Sequence, residues 1–386
     1  MDDVFSFSND PAPLGILPGP TMKRTYTQIS SLSFSSDSRI NCICICPVAF
    51  GSYKYLAILS SNTCSIFRVN KDDSISLLQA FNDDDKTENF VCCDWVVNDN
   101  TNDSDVFLIV GGTSGYIKVL NLTQRTVSQV HLSSSTHYQI LSGHCGAVRC
   151  IKSVQRNSYL ILSGGIDGTL RMWDIRRRTN LQITRFGNNF DDLTWIDVGV
   201  RGDRFVCSDI LGAVIVYSFQ DEDFVEESII YKSNCAPVLW VGRLLLSVVD
   251  DLCSLFTPFL QNNSLVIKVY KQFHSNSFPQ LFCLNHDASV LAILSEGFIE
   301  FFHVDTDSQP FSSLSISFLS SPPLSISFCL TDEYLLVVTK KGTISLFVAE
   351  PEPSIASGTM ALPLFPFDDL DKTSQSYDFY GSDISI

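Results

Sequence analysis

Leu141-Ser142-Gly143-His144-Cys145-Gly146-Ala147-Val148 and, a short way on, Gly164-Gly165-Ile166-Asp167-Gly168-Thr169-Leu170-Arg171-Met172-Trp173-Asp174-Ile175 frame the stretch on which the fold turns. His144 stands 29 residues before Trp173, and the residues between read as strand, turn, strand. Leu160-Ile161-Leu162-Ser163 is a strand-like apolar run, and Asp167-Gly168 is a tight-turn signal ahead of a second apolar strand. A histidine sharing a short segment with a serine and an aspartate invites a catalytic reading. A nucleophilic serine needs an exposed elbow such as Gly-x-Ser-x-Gly and an oxyanion hole, whereas Ser163 lies inside the apolar run. Its hydroxyl is expected to be buried, and the group is expected to be structural.

The segment resembles one WD repeat, the unit of a four-stranded propeller blade. The resemblance implies a specific hydrogen-bonded set. Asp167 accepts from the His144 imidazole, which reaches Ser163 and through it the Trp173 indole N–H, so that buried polar groups are satisfied. One blade cannot bury its own faces, so relatives are expected at a period of roughly 40 to 50 residues. They are present in worn form. Tyr55 to Val69, Phe107 to Leu122, Arg204 to Phe219, Arg243 to Pro258, Ser289 to Val304 and Glu333 to Val348 share an apolar strand, a short polar or glycine-containing turn and then alternating apolar residues. With Leu160 to Ile175 they make seven. Their closing residues, Phe67, Leu120, Trp173, Tyr217, Phe256, Phe302 and Phe347, are spaced by 53, 53, 44, 39, 46 and 45, and only the third is Trp.

Long amphipathic helical patterns and Gly-x-Gly-x-x-Gly openings are missing, which argues against an α/β enzyme. Gly111-Gly112-Thr113-Ser114-Gly115 lacks the spacing and the Lys of a phosphate loop and reads as a turn between strands. The expected architecture is all-β, a seven-bladed WD-repeat β-propeller with disordered termini. A strand around Arg24 to Phe34 is expected to complete the last blade and seal the ring. The expected organisation is a disordered segment over 1–23, the propeller over 24–349, and an acidic disordered tail over 350–386 that contains Phe365-Pro366-Phe367-Asp368-Asp369-Leu370.

Composition narrows the function. Twenty-six Lys plus Arg against forty-two Asp plus Glu give a net charge of −16, which disfavours a role resting on direct contact with nucleic-acid phosphate. With 45% apolar residues the chain has ample core material. No apolar run approaches the roughly 18 residues that span a bilayer, and Met1-Asp2-Asp3 is unlike a basic signal-peptide start, so a soluble intracellular protein without membrane contact is expected. The thirteen cysteines read as buried hydrophobes. Cys42, Cys44 and Cys46 share one face of a strand, yet the paired spacing of a zinc site is absent, and neither metal nor cofactor is expected.

Further matches are more specific. Ser74 to Phe81, Asp83 to Phe90 with Trp95, Gly111-Gly112 with Gly115-Tyr116-Ile117-Lys118-Val119, the whole third repeat, and Val238-Leu239-Trp240-Val241-Gly242-Arg243-Leu244-Leu245-Leu246-Ser247 resemble the Extra sex combs family, also called embryonic ectoderm development. The resemblance covers roughly Arg24 to Ala349, strongly in the first three blades and thinly after Ile175. It implies a non-catalytic, nuclear scaffold subunit of a Polycomb-type histone methyltransferase complex, acting in chromatin repression. Its implied partners are an Enhancer-of-zeste-type SET-domain methyltransferase, other complex subunits and, as a candidate, a histone tail, whose basic charge complements an acidic ring.

The resemblance also locates a methyl-lysine cage, which needs several aromatic faces around one quaternary ammonium. The family pattern Glu-Asn-Phe-Tyr-x-x-x-Trp matches Glu88-Asn89-Phe90 and Trp95, but Val91 stands where the cage tyrosine falls. Phe278-Pro279 occupies the place of a Trp-Tyr pair, and Asn41 aligns with a cage phenylalanine. Only Phe278 retains an aromatic face, so selectivity for methylated lysine is expected to be degraded. The alternative is a generic WD-repeat adaptor in ubiquitin ligation, trafficking or ribosome assembly. Catalysis is not expected, because the six histidines form no arguable acid–base pair.

Overall fold

The computed structural model describes residues 24–33, 39–47, 53–98, 105–122, 138–154, 159–186, 193–199, 202, 204–220, 223–230, 239–241, 244–249, 252–261, 264–276, 279–285, 289–304, 308–319, 321–328 and 334–351. Among them every regular element is a β-strand. The first, β1 (Arg24–Ser33), waits for its partner at the far end of the chain. Six antiparallel four-stranded sheets follow in sequence order. Blade 1 is β2 (Ile40–Ile45), β3 (Lys54–Ser60), β4 (Thr63–Val69) and β5 (Ile75–Asn82). Blade 2 is β6 (Phe90–Asn98), β7 (Asp105–Gly112), β8 (Ile117–Asn121) and β9 (Tyr138–Leu141). Blade 3 is β10 (Val148–Ser153), β11 (Leu160–Gly165), β12 (Thr169–Asp174) and β13 (Thr179–Arg185). Blade 4 is β14 (Leu193–Val198), β15 (Arg204–Asp209), β16 (Val214–Gln220) and β17 (Asp223–Ile230). Blade 5 is β18 (Leu239–Val241), β19 (Leu244–Val249), β20 (Leu252–Gln261) and β21 (Ser264–Phe273). Blade 6 is β22 (Leu281–Leu284), β23 (Val290–Ser295), β24 (Phe298–His303) and β25 (Ser312–Ser315).

The last three strands, β26 (Pro323–Phe328), β27 (Tyr334–Thr339) and β28 (Thr343–Pro351), form blade 7, and β1 completes it by pairing antiparallel with β28 from Arg24↔Pro351 to Ser33↔Thr343. This is the seven-bladed propeller that the repeat pattern predicts, closed by its amino-terminal strand. Closure pairs backbone groups of β28 that would otherwise stand at an open edge. The expected tails, 1–23 and most of 350–386, fall outside the described residues.

Hydrophobic alternation dictates how the blades stack. Each described core cluster is shared by two neighbouring sheets: Trp95 and Leu108 of blade 2 pack with Ala57 and Leu59 of blade 1, Ile161 and Trp173 of blade 3 with Ile109 and Val119 of blade 2, and Ile344 and Leu346 of blade 7 with Ile40 and Ile58 of blade 1. A single sheet has no interior of its own, and its two faces are buried only by its neighbours. The seven closing residues occupy one equivalent register, opposite Leu56, Leu108, Ile161, Phe205, Leu245, Leu291 and Leu335. All seven are buried, and burial of one such side chain contributes about 1.5 to 3 kcal/mol. In blades 1, 3, 4, 5 and 7 the outer strand bulges at the register of the closing residue.

Candidate functional site

In blade 3, His144 Nδ1 lies 3.0 Å from Asp167 Oδ2, and its Nε2 lies 2.7 Å from Ser163 Oγ. The Trp173 indole N–H donates to the same Ser163 oxygen at 2.8 Å. A consistent assignment follows from the hydroxyl, which accepts from Trp173 and donates to Nε2, leaving the proton on Nδ1 to bond Asp167. Ser163 is fully buried, as its apolar run dictates. Burial holds the His144 pKa below its ordinary value, so the ring is neutral. For Asp167, burial acts upward, but the Cys145 backbone N–H, the Thr169 hydroxyl and His144 outweigh it and hold the carboxyl low. Every partner is internal, and the hydroxyl lacks the exposed position that a nucleophile needs.

The second constellation lies at the inner rim. The leading strands β2, β6, β10, β14, β18, β22 and β26 are the innermost strand of each blade, and most touch the leading strand of the next. Five of them carry a bulge one residue after the strand begins, where Asn41, Val91, Arg149, Thr194 and Leu324 are inserted opposite the end of the second strand. A bulge re-aims the inserted side chain. Asn41 and Val91 therefore occupy equivalent positions in adjacent blades. The Asn41 amide is tied across the gap between them, donating to Asn89 Oδ1 at 2.7 Å and to the Phe90 carbonyl at 2.8 Å. Val91 packs against the cluster shared by blades 2 and 3. Arg149 is exposed, and Thr194 donates to the Ser208 carbonyl at 3.2 Å. Pro279 is buried just ahead of β22, and Phe278 lies outside the described residues. None of the five bulge residues is aromatic.

Phe90 itself is buried, stacked near Phe81, with the Lys118 ammonium 4.9 Å from its ring centroid. That ammonium is held between Asp83 and Glu88, 3.1 Å from Glu88 Oε2. Burial would raise the Glu88 carboxyl, but the Ser114 hydroxyl and backbone N–H and the Lys118 charge bring it below its usual range. Lys118 stands at the register of Arg171 in blade 3, two residues before the closing position, and Arg171 likewise lies near a turn carboxylate, Asp167. Sequence reading missed this set, although Lys118 two residues before Leu120 was a usable signal. It also missed Arg149, Thr194 and Leu324, because bulge positions carry no residue preference that one sequence reveals. Cys42 and Cys44 pack against the blade 1–2 cluster with Cys46, and among the described residues no group of three or more His, Cys, Asp or Glu is arranged to hold a metal ion.

The pattern of a WD domain, G-beta repeat, matches residues 135–174. Polycomb protein esc of Drosophila virilis is 27% identical over 171 residues, 44% of this chain and 37% of that protein. Polycomb group protein FIE1 of Oryza sativa subsp. japonica is 29% identical over 135 residues, 35% of this chain and 26% of that protein. The chain is similar to the Polycomb esc and FIE proteins. The matched segments span well under half the length of these relatives. Over the whole propeller, a chain of the structure described as "Structure of ctPRC2 in complex with H3K27me3 and H3K27M" superposes with a TM-score of 0.68 at 13% identity, covering 84% of this chain and 98% of that one. A chain of "Crystal structure of the Chaetomium Thermophilum polycomb repressive complex 2 (PRC2)" gives 0.65 at 13% identity, with 84% and 98% covered. At that identity the likeness is one of fold.

Proposed function

We propose that this chain is a non-catalytic, nuclear scaffold subunit of a Polycomb-type histone methyltransferase complex, whose partner is a SET-domain enzyme. The observation that carries the reading is the sequence likeness to esc and FIE proteins, coupled with a fold likeness that extends over nearly all of a chain from a Polycomb repressive complex 2 structure. The internal satisfaction of the His144–Ser163–Asp167 set supports the non-catalytic part. Affinity purification of the endogenous protein is expected to recover a SET-domain methyltransferase, and its absence from repeated purifications overturns the assignment.

The inner rim would then meet a histone tail without an aromatic cage. A trimethylammonium gains about 0.5 to 2 kcal/mol from each aromatic face, and Asn41, Val91 and Pro279 supply none. Titration of the purified chain with methylated and unmethylated histone peptides is therefore expected to give affinities within about thirtyfold of each other, since at most one cation–π contact remains. A preference of a hundredfold for the methylated peptide would show a cage rebuilt from other residues.

A further inference from the structure

Blade 3 differs from the rest of the molecule in charge. Between Val148 and Phe186 the sequence holds eight Lys and Arg against two Asp, a local net charge of +6 in a chain of −16. Two of these cations are consumed internally, Lys152 by Asp197 at 3.2 Å and Arg171 near Asp167 at 3.8 Å. The others described are exposed, and Arg176, Arg177 and Arg178 follow one another in the turn that joins β12 to β13. Arg177 reaches Asp174 at 3.6 Å and Arg176 lies over the Tyr159 ring at 5.2 Å, while Arg178 has no carboxylate partner among the described residues.

The turn leads into an unusual outer strand. In β13 exposure alternates, so that Thr179, Leu181, Ile183 and Arg185 face solvent together. Leu181 and Ile183 are 45% and 55% exposed, bracketed by Arg178 at one end and Arg185 at the other. Charged side chains on an outer strand can serve simply to block unwanted strand pairing. That device is not general here, since β5, β9 and β25 carry no charged residue at all. Aliphatic side chains between the arginines also fit nucleic acid poorly, because phosphate recognition uses cations, and bases stack on aromatic or guanidinium planes rather than on Leu and Ile.

We propose that the outer face of β13 and the arginine turn at its start form a docking surface for an acidic protein segment that carries aliphatic side chains. The arginines fix orientation through carboxylates, and Leu181 and Ile183 receive the aliphatic residues. Contact is through side chains and not through an added strand. The bulge that inserts Leu181 opposite Met172 and Trp173 breaks the outer backbone ladder at that point. The proposal is independent of the methyltransferase reading, since it rests on blade 3 alone.

Random displayed peptides of about twelve residues are selected on the full chain, and the winners are measured as synthetic peptides by fluorescence anisotropy in about 50 and 200 mM salt, which spans strong to weak screening. Enrichment in Asp and Glu with Leu, Ile or Val is expected, with affinity falling several-fold at the higher salt. Arg177→Glu with Arg178→Glu, and separately Leu181→Ser with Ile183→Ser, are each expected to weaken binding about tenfold, since both the charged and the apolar contacts contribute. Leu77→Ser on the outer strand of blade 1 should leave it unchanged. Unaltered melting of the variants separates lost binding from lost folding. Selection of no binder, of neutral or basic peptides, or of peptides indifferent to Leu181→Ser with Ile183→Ser overturns the proposal. Tighter binding of a single-stranded oligonucleotide that ignores the two aliphatic positions also overturns it and assigns the arginines to nucleic acid.

Discussion

At the scale of single residues, the third blade shows how a buried polar set is made stable by completeness. Ser163 accepts from Trp173 and donates to His144, so each polar atom of the His144–Ser163–Trp173 relay has its partner. Trp173→Phe removes the donor and keeps most of the ring. The Ser163 oxygen then loses one bond inside the core, and a loss of about 1 to 3 kcal/mol is expected in denaturant unfolding. Unchanged stability would show that the indole bond contributes nothing. The same set makes an acid-sensitive point. The His144 pKa in the folded state lies below its ordinary 6.5, so the unfolded chain takes up the proton first as pH falls. Its contribution is complete above about pH 6.5 and is lost progressively below it, and Asp167, also held low, adds loss in the same direction below about pH 3.8. Stability measured from pH 7 to pH 5 should therefore fall less steeply in His144→Gln than in the unaltered chain. Equal slopes would remove His144 from the account.

At the scale of elements, the close approach of neighbouring blades is set by small residues as much as by large ones. A Cβ on Gly164 of β11 would stand 2.8 Å from Leu193 Cβ of β14 and 2.9 Å from Cys150 Sγ. The Leu193 Cβ is backbone-anchored and cannot swing aside. Gly164→Ala is therefore expected to force blades 3 and 4 apart and cost about 1 to 3 kcal/mol by thermal or denaturant melting, as overpacking of tight cores does. A neutral result would mean that the interface opens more readily than its packing indicates. The leading-strand bulges belong to the same scale. They recur in five blades at one register and place Asn41, Val91, Arg149, Thr194 and Leu324 at the rim irrespective of residue type. Geometry is retained there while the side chains vary, so the rim's chemistry can change without loss of the fold.

At the scale of the whole molecule, stability depends on closure. Every described cluster joins two blades, and blade 7 holds together through β1, separated from β28 by almost the entire chain. Such a contact closes a very long loop, at a conformational-entropy cost that rises only slowly with loop length. Removal of residues 24–33 is expected to expose the edge of β28 and the faces of Tyr334 and Phe347 together, so that the ring melts earlier as one unit and aggregates. Limited proteolysis together with calorimetry checks this. Cleavage confined to blade 7, with the rest melting as before, would contradict a cooperative ring.

The sequence by itself determined the repeat, its count and its closure. Strand alternation and turn residues are local signals, and the six worn hairpins from Tyr55–Val69 to Glu333–Val348 retained them although Phe, Tyr or Leu stands where the third repeat has Trp. Its resemblance to a WD repeat also implied Asp167, His144, Ser163 and Trp173 as one set, and in the structure they are hydrogen-bonded in that order around the turn after β11. Tertiary structure alone decided which residues reach the rim, how Lys118 sits between Asp83 and Glu88, and which arginines remain exposed on blade 3. Those outcomes depend on bulges and on the approach of a neighbouring blade. They are set by packing between segments far apart in the chain, for which a residue's local surroundings carry no mark.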